Sequence, residues 1–187
     1  MVEIPFDVSY HFDDDLHDVP NNAAQMRQAL TFLQSQLNER GIETKRQIQL
    51  LGLIGGYARM LKDFATARMA LSSAVDLSEL LGDQRLRIAN LIRLAHVYQS
   101  QQEYRLSEEL FEEAIASCKR DPDLGSYLDF AYQHAGKCKF DQQQYEEALY
   151  YFEQALSLRS SKGDRSLIDS TQMAIDSVNR RVQAQLS

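Results

Sequence analysis

DFATARMALSSAV at 63–75, EYRLSEELFEEAI at 103–115 and QYEEALYYFEQAL at 144–156 are three versions of one pattern. Each carries an aromatic (Phe64, Tyr104, Tyr145), a small residue three positions on (Ala67, Ser107, Ala148), a bulky one four later (Leu71, Phe111, Phe152) and an alanine three further (Ala74, Ala114, Ala155). Steps of three and four put these residues on one helix face. The copies lie 40 and 41 residues apart, and self-similarity at such a period is the signature of a repeat architecture.

A second motif precedes each copy: LLGLIGGYA at 50–58, NLIRLAHVY at 90–98 and YQHAGKCKF at 132–140. Leu51, Ile54 and Gly55 correspond to Leu91, Leu94 and Ala95, and then to Tyr132, Ala135 and Gly136. Small residues on a packed face let two helix axes approach closely, so each repeat reads as a helix pair. Gly52, Gly55 and Gly56 crowd the first of these helices, where each glycine costs about 0.5–1 kcal/mol relative to alanine. Tight helix packing or the approach of a ligand backbone would offset that cost.

Outside the repeats, Met26, Leu30, Leu33 and Leu37 mark an amphipathic helix over 22–40, and Leu167, Ile168, Ala174, Ile175 and Val178 mark a terminal one over 165–184. The full expectation is an all-α chain of eight helices: 22–40, 44–61, 63–81, 84–101, 104–119, 123–140, 142–160 and 165–184. Good helix formers dominate, and three prolines, eight glycines and no tryptophan fit that class. Pro122 ends one helix and Asp123 caps the next. Residues 1–21 differ: Ile4, Phe6, Val8, Tyr10 and Phe12 alternate with other residues as in an extended segment, and no convincing strand is expected elsewhere.

The pattern resembles the tetratricopeptide repeat family, whose first helix carries bulky-x-x-Leu-Gly-x-x-Tyr and whose second carries Ala-x-x-x-Phe-x-x-Ala. Three copies in phase cover about residues 48–161, and the 40-residue period points to the longer-helix variety. Gly82-Asp83 and Gly163-Asp164, 81 residues apart, match that variety's loop. The resemblance implies an α-solenoid of antiparallel helix pairs, with repeats at about 48–83, 88–123 and 129–164 within a single superhelical domain 22–187, a capping helix at 165–184, and an acidic, aromatic-containing extension over 1–21.

It also implies a concave groove, lined by the first helix of each pair, that holds a protein or peptide. The matching positions are Gly52, Gly56 and Arg59, then Ile92, His96 and Gln99, then Gln133, Lys137 and Phe140, with Arg93 and His134 beside them. Some family members grip chaperone tails with a clamp of Lys, Asn and Arg. Here those positions hold Gly52, Gly56, Arg93, Phe130 and His134, so that role is not expected. Two alternatives to a groove binder are a regulatory sensor that captures a peptide or regulator in trans, and a structural subunit that forms a homodimer.

Charge narrows the partners. Of the net −7, six acids and no Lys or Arg fall in residues 1–21, while the rest of the chain carries 21 acids against 20 bases. No basic excess exists to attract nucleic acid or an anionic membrane. The acidic segment instead suits the weakly basic groove of Arg59, Arg93, His96 and Lys137, either its own or a neighbour's, with alternate side chains as anchors.

No cofactor, metal or catalytic residue is expected. His11, Asp13, Asp14, Asp15, His17 and Asp18 have ligand chemistry but no ligand spacing. Neither His96 nor His134 has a nucleophile or general-base motif beside it. Cys118 and Cys138 read as buried free thiols. With neither a signal-like segment nor an apolar run of about 20 residues, the expected location is the cytoplasm.

Overall fold

The computed structural model describes residues 3–186. After a short hairpin, β1 (Tyr10–Phe12) and β2 (Asp18–Pro20), come α1 (Ala23–Leu37), α2 (Thr44–Met60), α3 (Phe64–Leu81), α4 (Gln84–Ser100) and α5 (Tyr104–Arg120). A 3-10 helix at Pro122–Tyr127 leads into α6 (Leu128–Asp141), α7 (Tyr145–Lys162) and α8 (Arg165–Gln185). The eight α-helices match the expected ones in order and near-register, and α2/α3, α4/α5 and α6/α7 pack as stacked antiparallel pairs. One expected helix splits. Asp121 accepts from the Asp123 N–H, Pro122 opens a 3-10 turn, and the α-helix starts only at Leu128.

The nine repeated small, bulky and alanine positions are the core. Ala67, Ser107, Ala148, Leu71, Phe111, Phe152, Ala74, Ala114 and Ala155 are all buried. Each bulky residue fills the space beside the small residue of its partner helix. A Cβ on Gly55 would lie 2.3 Å from Leu71 Cγ, and one on Gly136 would lie 2.7 Å from the Phe152 ring. Ala95 holds the corresponding place opposite Phe111. Removing either phenyl ring would cost about 3–5 kcal/mol.

The turn inside each pair also repeats. Lys62, Gln102 and Gln143, 40 and 41 apart, adopt φ of 64°, 62° and 61°. The next residue's N–H reaches back to the helix in each case: Asp63 to Ala58 O, Glu103 to Tyr98 O and Gln144 to Lys139 O, at 2.8–2.9 Å. This is the Schellman closure without its usual glycine. Between pairs the glycine is present: Gly82 and Gly163 end α3 and α7 in the left-handed region, and Asp83 and Asp164 cap α4 and α8 by accepting the N–H of Leu86 and Leu167.

One correction concerns the first segment. A strand pair exists where only extended chain was expected: Tyr10 pairs with Pro20, His11 with Val19 and Phe12 with Asp18, antiparallel. Upstream, the Phe6 ring meets Phe32 edge-on at 6.0 Å, and the Asp7 N–H donates to Gln25 Oε1 at 2.6 Å. At the other end Arg159, sealed from solvent, joins α7 to α6 and α8 by donating to Asp129 Oδ2 (3.0 Å), Gln133 Oε1 (3.1 Å) and Thr171 Oγ1 (2.7 Å). Cys118 and Cys138 are buried and unpaired with each other. Among the described residues no helix is long and apolar enough to cross a membrane.

Neighbouring glycines of α2 test this packing. A Cβ on Gly56 meets nothing within 4 Å, so Gly56→Ala should stabilise by about 0.5–1 kcal/mol through helix propensity. Gly55→Ala should instead destabilise by about 1–2 kcal/mol through overpacking against Leu71. Urea midpoints followed by circular dichroism measure both, and equal midpoints would contradict the packing argument.

Candidate functional site

Helices α2, α4 and α6 turn equivalent rows of residues the same way, because a repeat that preserves the small residue preserves everything counted from it. One position beyond it stand Gly56, His96 and Lys137; four beyond stand Arg59, Gln99 and Phe140. These two rows face the concave side, where the hairpin lies across them as a flap. Three positions before the small residue stand Gly52, Ile92 and Gln133, and this row faces the seams between neighbouring helices. A Cβ on Gly52 would sit 2.5 Å from Asn90 Oδ1, Ile92 lies in the main apolar cluster, and Gln133 accepts from Arg159.

Asp18 is the centre of the flap's docking. Its Oδ1 receives the Lys137 ammonium at 3.1 Å, its Oδ2 receives the Arg59 guanidinium, and the three side chains are only 6%, 3% and 9% exposed. The Phe12 ring centroid lies 3.7 Å from Lys137 Nζ, a cation–π contact on the same ammonium. Around this centre Asp15 pairs with Arg181, His17 lies 3.3 Å from Asp141 Oδ1, and Leu16 is buried among Phe140, Phe152 and Ile175. Breaking a buried ion pair by deleting one partner costs about 3–5 kcal/mol, and burying a leucine contributes about 1.5–3. The flap is therefore firmly seated, even though Leu16 holds a φ of 63°.

The positive groups set the protonation of the site. Burial alone would raise the Asp18 carboxyl, but the surrounding positive groups, Lys137 first, outweigh it and hold it well below the usual carboxylate range. The rings of His96 and His134 lie 4.7 Å apart between centroids, tilted by 46°. Burial and then the Arg59 charge push His96 well below its ordinary value, and burial and then Lys137 push His134 down to about 3. Part of the His134 ring still reaches solvent, whereas its Nδ1 is sealed without a partner. His17, half-exposed, moves up because of its hydrogen bond to Asp141.

Beside the flap lies a cavity of about 650 Å³ lined by Arg59, His96, Gln99 and Phe140 from the helices and by Asp13, Asp15 and His17 from the flap. Gln99 donates from Nε2 to Asp141 Oδ2 at 2.8 Å. Arg93 does not line this cavity and is exposed; its Nη1 donates to Asn90 Oδ1 at 3.1 Å, and no described carboxylate pairs with it. Among the described residues no group of three or more His, Cys, Asp or Glu is placed to hold a metal.

The convergence of Arg59, His96 and Lys137 follows from the repeat. Their individual partner, Asp18, was one of six acids in the segment with nothing local to distinguish it. Asp141 and Arg181 were missed as well, since each acts only through residues more than 40 or 160 positions away.

Both buried imidazoles have folded values below the unfolded 6.5, so the unfolded chain binds protons more readily once the pH falls below that value. Their contribution is complete above pH 6.5 and is lost on acidification; Asp18 adds a further loss below about pH 4. His17 works in reverse, with its contribution complete below pH 6.5 and lost as pH rises. Going from pH 7 to pH 5 should cost on the order of 1–2 kcal/mol of unfolding free energy. His134→Gln should make the profile shallower, and a flat wild-type profile would contradict this assignment.

The tetratricopeptide repeat model matches residues 46–120 and again 87–161. The human SH3 domain and tetratricopeptide repeat-containing protein 2 is 30% identical over 127 residues, which is 66% of this chain and 9% of that protein's length. Bacillus thuringiensis PlcR, crystallised with the peptide PapR7 and DNA, superposes with a TM-score of 0.74 at 16% identity, covering 86% of this chain and 58% of PlcR. A Podosopora anserina kinesin light chain with TPR-like repeats superposes at 0.61 and 16% identity, covering 86% of this chain and 82% of that one. With over half its length matched by the family model, the chain belongs to the tetratricopeptide repeat family.

Proposed function

We propose that this chain is a protein-interaction module that binds a segment of another protein in the part of the groove the flap leaves free. The tetratricopeptide fold supports an interaction role in general, and PlcR, part of which superposes on this chain, was crystallised in complex with a peptide. The observation that carries the reading for this chain is Arg93. It is an exposed residue whose Nη1 bonds Asn90, and its guanidinium is matched by no described carboxylate. That group remains charged at neutral pH.

An arginine in that position offers a planar fork to a partner's carboxylate or backbone carbonyls. On α2, Gly56 leaves open space, so a partner backbone can approach that helix closely. Gly56, Arg93 and the partly accessible His134 are accordingly the proposed contacts of the free groove; Arg59, Lys137 and His96 act beneath the flap. Tagged wild type and Arg93→Glu, both verified as helical by circular dichroism, should capture partners from a cell extract with different efficiency. Recovery with the variant should fall about tenfold, equivalent to about 1.4 kcal/mol. Equal recovery of the same partners would reject the groove.

A further inference from the structure

We infer that the flap occupies a carboxylate-binding site formed by Arg59 of α2 and Lys137 of α6, and that an acidic segment of another protein enters this site by displacing the flap. The incoming segment puts its own carboxylate where Asp18 lies. The inference goes beyond the free-groove reading, because it assigns a partner chemistry to the covered part.

The site selects a carboxylate. Asp18 divides its two oxygens between the helices, Oδ1 taking the Lys137 ammonium at 3.1 Å and Oδ2 the Arg59 guanidinium. With His96 and His134 held neutral, the cluster carries two positive charges against one negative. Asp141, the acid at the end of α6, is already engaged by Gln99 and His17. Without Asp18 the two cations have no anion, so a neutral or basic segment leaves them unpaired and an acidic one restores the arrangement.

The flap can leave as a unit. Among the described residues no backbone–backbone hydrogen bond joins it to a helix. Of residues 10–20 only Leu16 belongs to a buried apolar cluster, so the solenoid's core is made almost wholly without the flap. Two strands of three residues do not hold together on their own. Deleting one member of a buried ion pair strands the others, but lifting the whole flap returns Asp18, Arg59 and Lys137 to water together. The hydration they recover offsets much of the attraction they lose. The same triad that tolerates no neutral residue at Asp18 therefore permits its exchange for a second carboxylate.

Tethering sets the competition. A segment on a short linker acts at an effective concentration of about millimolar, so a free acidic segment binds the intact chain weakly and gains affinity when the flap is loosened.

The probe is a fluorescein-labelled peptide, EIPFDVSYHFDDDLHDVPN, with the sequence of residues 3–21. By anisotropy it should bind the full-length Asp18→Ala chain, verified as helical by circular dichroism, at least tenfold more tightly than wild type. The same peptide carrying Asp18→Asn should lose at least tenfold on that chain, as should the original peptide on Asp18→Ala/Lys137→Met. Equal binding to wild type and a folded Asp18→Ala chain, or equal binding of the two peptides, would overturn the site. Hydrogen exchange on wild type needs no variant. The amides of Leu16, His17 and Asn21, bonded only within the segment, should exchange at least ten times faster than those in the middle of α4 and α6. Equal protection would mean that the flap leaves only on global unfolding and would overturn displacement. Light scattering should find wild type monomeric; a dimer that exchanges flaps would make a second copy the occupant and overturn the partner. None of these readouts uses Arg93, so failure here and failure of the free-groove reading are separable.

Discussion

The close approach of the two helices in each pair is the constraint from which the remaining geometry follows. Leu71, Phe111 and Phe152 can occupy the space they do because Gly55, Ala95 and Gly136 face them. Where the residue is glycine, a methyl group would collide with a fully buried side chain that has no room to retreat. Once that crossing is set at 40- and 41-residue intervals, the residues one and four positions along α2, α4 and α6 are aligned on the concave side. The concentration of Arg59, His96 and Lys137 at one place is thus a by-product of packing elsewhere on the same helices.

That concentration creates an electrostatic problem that the flap solves. Two cations and two imidazoles brought together out of water repel one another unless an anion sits among them or the imidazoles stay neutral. The structure uses both remedies: Asp18 accepts from both cations, and the histidines are held unprotonated. The contact joins residues 119 positions apart to residues 41 apart, so it ties the first segment to both the first and the third helix pair at once. A second buried network, Asp129–Arg159–Gln133–Thr171, performs the analogous tie between the third pair and α8. Between these ties the flap covers Arg59, His96 and Lys137 and leaves a cavity beside it.

The rows of equivalent residues explain which expectations about the groove translate into position and which do not. Counting from the small residue, His96, Lys137, Arg59, Gln99 and Phe140 meet the hairpin or the cavity beside it, whereas Gly52, Ile92 and Gln133 turn to the seams. Periodicity alone places both sets on the same broad helix surface, because a helix in a solenoid is contacted on two sides. Separating a seam from a groove requires knowing where the next helix lies, which is a tertiary fact.

Helix number, order, phase and core were legible from the chain alone, because each depends on spacings of three, four and forty residues that are local or repeated, and repetition averages out exceptions such as the glycine-free turns at Lys62, Gln102 and Gln143. The acidity of the first segment and the weak basicity of the groove were legible too, as composition. Only the tertiary structure decided that the segment folds back as a hairpin, that Asp18 among its six acids is the buried one, and that a cavity remains beside it. Those outcomes are settled by single contacts across more than a hundred residues, where desolvation and charge pairing reward one geometry and leave no periodic trace in the sequence.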